Sequence, residues 1–201
     1  MLTPEDLINF ENDIAATFDS AEIRAPVHLY NNSEQEMINI FKEVDEEDWI
    51  FCTWRSHYQC LLKGVPYAEL KEAIVEGRSI GLCFPEYNIY SSGIVGGSIP
   101  IALGAALSLK LEDSTSKVWC FVGDMGSEHG LLSEAYKYAR NHELPIKFII
   151  EDNGKSVCTD TRKTWGCRSL TFENSDSKYV YYYKYDGSKY PHAGAGKRVQ
   201  F

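Results

Sequence analysis

No apolar run in this sequence is long enough to span a bilayer: the best candidate, residues 99–109, is rich in small side chains and ends at Lys110. A buried helix is expected there instead. No secretory signal is visible at the start of the sequence. The six cysteines, Cys52, Cys60, Cys83, Cys120, Cys158 and Cys167, show no CxxC spacing, and several lie in apolar runs. Small buried hydrophobes in a reduced, cytoplasmic setting fit that pattern better than disulfides or zinc. Positive charge is also short. Against 29 Asp and Glu stand 20 Lys and Arg, a net charge of −9, and the scattered cations build no face for nucleic acid. Internal repeats, low-complexity tracts and linkers long enough to split the chain are missing as well.

What is present is 201 residues, 44% of them apolar, which is ample for the core of one domain. Thr3 suits a helix N-cap, with Pro4 at the first position, Glu5 and Asp6 in the first turn, and Leu7, Phe10, Ile14 and Phe18 at helical spacing. A second helix is expected from Ser33, with Met37, Ile40, Phe41 and Val44 as its stripe. Residues 49–54 read as a buried strand, 58–77 as helical, and 91–98 as a Gly/Ser-rich lead into the apolar helix. Strands at 118–122 and 146–150 flank another helix, and 179–185 is tyrosine-rich and strand-like. This alternation predicts an α/β fold with three layers, a mostly parallel sheet carrying helices on both faces.

The chemistry gathers where strands end. The strand at 118–122 runs into Gly123-Asp124-Met125-Gly126, and the strand at 146–150 ends in Asp152-Asn153-Gly154. Parallel strands joined by a crossover helix bring these ends together, so Asp124 and Asn153 are expected to share a crevice. A carboxylate and a carboxamide oxygen suit Mg²⁺, which completes its shell with phosphate oxygens. Gly-Asp and Asn-Gly are also ordinary turn dipeptides. The loop 93–97 precedes a helix and could turn its N–H groups on an anion, or could simply allow tight packing. Arg55 follows an apolar strand, where its planar fork suits phosphate. His57 reads either as a satisfied interior histidine or as an active-site group. His192, in the glycine-flanked segment 190–198, belongs either to a compact loop near a substrate or to a surface tail.

Several segments occur in a telling order: Arg24 to Tyr30 as R-x-x-x-H-L-Y, Trp54-Arg55-Ser56-His57, Gly93 to Pro100 as G-I-V-G-x-x-x-P, then GDMGSEHG followed by EDN. Over roughly residues 5–165 the chain resembles the alpha subunit of thiamine-diphosphate-dependent 2-oxo-acid dehydrogenases, the pyruvate dehydrogenase type. The resemblance implies a diphosphate-binding domain over residues 1–201 with a short irregular C-terminal tail, and thiamine diphosphate and Mg²⁺ as cofactors. Asp124 and Asn153 would ligate the metal, with the backbone carbonyl of Lys155. Trp54, Arg55, Gly93, Val95, Gly96, Met125, Gly126, Asn153 and Lys155 match positions around the cofactor. His28 matches a substrate-side histidine, and His57 and His192 are further catalytic candidates. A pyrimidine-binding, beta-type subunit is the implied partner in an α₂β₂ assembly, with a small 2-oxo acid or ketose as substrate and neither nucleic acid nor membrane as partner. A split transketolase, a two-subunit 2-oxo-acid decarboxylase and a non-catalytic interaction subunit of the same fold are the competing readings.

Departures from the family pattern accompany the match. Trp54 stands where the family has tyrosine, Met125 where it has glycine, and Lys155 where it often has tyrosine. Met125 would be strained if that position needed positive φ. Family members also continue beyond the Asn motif into a histidine-containing loop, so shortened substrate-side loops are expected here.

Overall fold

The computed structural model describes residues 2–190, so His192 and the rest of the segment 191–201 lie outside the described residues. Helix α1, Pro4–Asp19, starts as its sequence predicts: Thr3 and Asp6 cap each other reciprocally, and Leu7, Phe10 and Ile14 are buried. Helix α2, Glu34–Phe41, follows Ser33. Strand β1, Trp49–Cys52, then leads to helices α3, His57–Leu62, and α4, Tyr67–Val75. The single helical stretch expected over 58–77 is therefore two helices. Gly64 takes φ +100° at the end of α3, and Pro66, which has no N–H to donate, stands at the N-cap of α4.

Two short strands come next, β2, Cys83–Phe84, and β3, Ile89–Ser91, with Asn88 left-handed before β3. Helix α5, Ser98–Leu111, precedes β4, Val118–Gly123, which runs directly into the one-turn helix α6, Asp124–Ser127. Helix α7, Gly130–Asn141, leads to β5, Ile146–Asp152. A small hairpin of β6, Lys155–Ser156, and β7, Thr159–Asp160, is followed by α8, Thr161–Trp165, and by β8, Val180–Lys184.

Six strands form one sheet in the order β2-β3-β1-β4-β5-β8, parallel except for β2 against β3. Side chains alternate between its faces as the pleat requires. Ile50, Cys52, Phe121, Ile149 and Tyr183 join the core beneath α1 to α4, whereas Phe51, Cys120, Val122, Phe148 and Ile150 pack toward α5 and α7. Helix α5 is apolar on nearly every side, but it is not enclosed: Ala102 and Ala106 face the sheet while Ile101 is 61% exposed. Among the described residues no helix is long and apolar enough to cross a membrane. All six cysteines are free thiols, with Cys52, Cys60 and Cys120 buried as apolar fillers.

From β1 the chain steps to β3 on one side, then returns past β1 to β4 and onward to β5. The strand order reverses at the β1/β4 boundary. In open α/β sheets the loops beyond the carboxyl ends part at such a point and leave a crevice.

Candidate active site

A crevice opens there, lined by Thr53, Trp54 and Arg55 after β1, Val95 and Gly96 before α5, and Asp124, Met125 and Gly126 after β4. Glu151, Asn153 and Lys155 from the end of β5, with Tyr185 beyond β8, complete most of the wall. Nearly all the residues expected around a diphosphate therefore meet in one place. Gly93 is the exception. It lies in the same loop but against Ile80, which an added Cβ would meet at 3.4 Å, and it does not line the crevice.

Close approach of two turns gives the crevice its narrow floor. A Cβ on Gly126 would come 3.3 Å from Val122 and 3.6 Å from Val95, and Gly96 holds φ +72°. Met125 carries no such strain: it is inside the right-handed turn α6, and the positive-φ requirement that would penalise its side chain does not arise.

Asp124 is 1% exposed, and its Oδ2 is buried with no hydrogen-bond partner among the described residues. Burial pushes this carboxyl up to about 6 against the pull of the nearby Thr161 hydroxyl, and the Asp152 charge adds to the rise. Across the crevice, Asn153 Oδ1 accepts from the Lys155 N–H at 3.1 Å, which leaves the second lone pair of the carboxamide oxygen unspent. Gly154, at φ +78°, donates its N–H to Asp152 at 2.8 Å and closes the tight turn that presents Asn153. Asp152 itself points to the other sheet face. Against the effect of burial, Arg162 at 2.7 Å holds its carboxyl below the usual range, and Arg162 also grips Glu173 at 2.9 Å. The hairpin and α8 are thereby tied back to the end of β5.

Arg55 is fixed through one nitrogen, Nε to the Leu29 carbonyl at 3.0 Å, and its guanidinium carbon lies 5.7 Å from the centre of the Tyr30 ring. Its Nη groups make no hydrogen bond among the described residues. Beneath it lies a carboxylate that the sequence reading missed. Glu151 is 5% exposed and receives the hydroxyls of Tyr30, at 3.0 and 3.1 Å, and Tyr183, at 2.5 Å. Gln59 in turn donates to the Tyr30 hydroxyl at 2.6 Å. Burial pushes Glu151 up to about 7, although both tyrosines and the Arg55 charge favour its ionised form. A glutamate directly before Asp152 at the end of an apolar strand was the available signal, since an acid there must find partners.

The two described candidate histidines, His28 and His57, separate. His28 is buried, with its ring centre 5.7 Å from that of Trp54, so it stands behind the crevice wall. His57 does not line the crevice. It is fully buried, with Nδ1 at 3.0 Å from Glu11 Oε2 and Nε2 at 2.9 Å from Ser79 Oγ, and Glu11 also accepts from the Tyr30 N–H at 3.1 Å. These contacts fit the reading of His57 as a satisfied interior histidine. Replacing His57 by alanine should cost about 2–4 kcal/mol, because it strands a buried carboxylate and a hydroxyl. Urea unfolding at neutral pH measures this, and a wild-type midpoint would contradict it.

The family model for the dehydrogenase E1 component matches residues 5–174. The chain belongs to that family. Among curated E1 relatives, the alpha subunit of acetoin:2,6-dichlorophenolindophenol oxidoreductase from Bacillus subtilis (strain 168) is 27% identical over 176 residues, 82% of this chain and 53% of the relative. The protein of the same description from Cupriavidus necator is 31% identical over 163 residues, 75% of this chain and 48% of the relative. The pyruvate dehydrogenase E1 component subunit alpha of Porphyra purpurea is 28% identical over 169 residues, 74% and 49% respectively. This E1 chain thus spans about half the length of the curated relatives it matches.

Proposed function

We propose that this chain is the diphosphate-binding part of an alpha-type subunit in a thiamine-diphosphate- and Mg²⁺-dependent 2-oxo-acid dehydrogenase. The carrying observation is the orphaned carboxylate oxygen of Asp124, buried at the switch point of the sheet in the same crevice as Arg55 and Asn153. Among the described residues no cluster of three or more His, Cys, Asp or Glu side chains is arranged to hold a metal. A site with one carboxylate, one carboxamide oxygen and the rest from backbone and phosphate is the sparse oxygen set that Mg²⁺ uses, so the residues present fit that ion.

Asp124 and Asn153 would hold the metal, with Lys155 at the mouth of the crevice contributing its carbonyl. Arg55 offers its open Nη edge to the diphosphate, and the glycine-lined floor at Gly96 and Gly126 lets main chain come close to it. Held by these residues, thiamine diphosphate would supply the carbon nucleophile and the electron sink for cleaving a bond next to a substrate carbonyl. The protein's part at this end is to anchor, orient and neutralise. Trp54, with His28 behind it, forms the side of the crevice where a substrate would approach. Proton transfer at the aminopyrimidine falls to a beta-type subunit in an α₂β₂ assembly. Support for a second subunit comes from the curated relatives, which are described as alpha subunits.

The full chain with thiamine diphosphate, Mg²⁺ and a set of 2-oxo acids should be silent alone and turn over when a beta-type subunit is added. Turnover by the chain alone would refute the need for a partner. Activity confined to ketose phosphates would move the assignment to a split transketolase, and cofactor binding without turnover in either setting would leave a non-catalytic interaction subunit.

A further inference from the structure

Past the last residue matched by the family model, the chain returns to the crevice. The Tyr185 N–H donates to the Asp152 carbonyl at 2.9 Å, extending the β5–β8 ladder by one residue and fixing where this tyrosine stands. Alternation along the strand places its ring on the side of Tyr181 and Tyr183, with ring centres 5.8 Å from Tyr183 and 6.5 Å from Tyr30. The ring lines the crevice wall. Gly187 permits this packing: a Cβ there would lie 3.2 Å from Asn153 Nδ2 and 3.4 Å from the Tyr185 ring.

The hydroxyl of Tyr185 has one partner among the described residues, and in that contact it is the acceptor, from Asn153 Nδ2 at 3.4 Å. Its own proton is unspent. Glu151, a carboxylate on the same side of the sheet, already takes the hydroxyls of Tyr30 and Tyr183. Arg55, Glu151 and Asp124 all lie near enough for their charges to act on the Tyr185 hydroxyl. A neutral donor beside an open guanidinium edge and a candidate metal ligand is suited to a phosphoryl oxygen, which accepts several hydrogen bonds at once.

We propose that Tyr185 donates its hydroxyl proton in a hydrogen bond to the diphosphate held in this crevice. The inference rests on the diphosphate reading given above and adds a ligand-binding residue that lies outside residues 5–174, the part matched by the family model. By gripping Asn153 as well, the same hydroxyl couples the metal-side turn to the anion.

The test is calorimetric titration of the full chain, in excess Mg²⁺, with inorganic pyrophosphate and separately with thiamine diphosphate, for wild type, Tyr185→Phe and Asp124→Ala. Tyr185→Phe should weaken both ligands by about tenfold or more, the effect of losing a hydrogen bond to a charged group. Its thermal midpoint should match wild type. With 3-fluorotyrosine incorporated, the ¹⁹F resonance that disappears in Tyr185→Phe should shift in the wild type when Mg²⁺ and pyrophosphate are added. Wild-type affinity in Tyr185→Phe, alongside lost affinity in Asp124→Ala, would overturn the role of Tyr185 and leave the diphosphate site standing. Weakening of thiamine diphosphate without weakening of pyrophosphate would also overturn it, since the contact would then lie elsewhere on the cofactor. If wild type binds neither ligand, or Asp124→Ala binds both as wild type does, the diphosphate reading falls and this one with it.

Discussion

Asp124→Ala is expected to abolish Mg²⁺-dependent binding of thiamine diphosphate while leaving the chain folded. The loss should be large because Asp124 is the one carboxylate proposed to ligate the metal, and a divalent ion on a carboxamide and carbonyls alone has no counter-charge from the protein. The fold should survive for the opposite reason. Without the ion, Asp124 is a buried acid with an unsatisfied oxygen, and burial raises its pKa to about 6. Such a group opposes folding at neutral pH, so its removal offsets the small cavity left behind. Calorimetry with and without a chelator reads the first effect, and a thermal melt of the ligand-free chain reads the second. Undiminished, chelator-sensitive binding in the mutant would sink the metal assignment.

The ligand-free chain should also lose stability as pH rises from about 4 to about 7, with Glu151 as the main cause. Its folded carboxyl sits near 7 against 4.5 for an ordinary glutamate. Between these two values Glu151 is more protonated in the folded state than in the unfolded one, so its contribution to stability falls with each step upward in pH. The stabilising proton is fully present below 4.5 and lost above about 7. A displacement of this size corresponds to roughly 3 kcal/mol at most, and Asp124 acts in the same sense over a lower window. Asp13, held low by Lys71, Asp152, held low by Arg162 against its burial, and Glu173, held low by the Leu170 N–H and by Arg162, act in the opposite sense, chiefly below their ordinary values of 3.8 for aspartate and 4.5 for glutamate. Glu151→Gln removes the titrating group and keeps its shape, so the variant should gain on wild type between pH 5 and pH 8. Urea midpoints at those two values are the measurement. A constant difference between the two proteins would mean that Glu151 is not protonated in the folded state in this range.

Elements with a strong local signature were legible in the sequence. The Thr3–Asp6 cap set the start of α1, and the apolar runs of β4 and β5 marked a parallel pair whose ends carry Asp124 and Asn153. Arg55 was legible because a guanidinium after a buried strand needs an anion. Elements made by their neighbours were not. Strands β2 and β3 have two and three residues, too few to show a period, and exist because β1 offers β3 an open edge. Glu151 and Tyr185 were passed over because their meaning lies in partners far along the chain, Tyr30 and Tyr183 for the first and Asn153 for the second. His57 resembled an active-site residue only through its motif. Its ring nitrogens are committed to Glu11, forty-six positions away, and to Ser79.

The crevice takes its walls from segments as far apart as Thr53 and Tyr185, and the last wall is delivered by the last described strand. A chain leaving the ribosome can build β1, β3, β4 and β5 before β8 exists, yet it cannot seat Tyr185 beside Asn153 until β8 has docked on β5. Such late, long-range pairing is slow compared with helix formation. Competence to hold a ligand should therefore appear as a final event in refolding, after most of the secondary structure has returned.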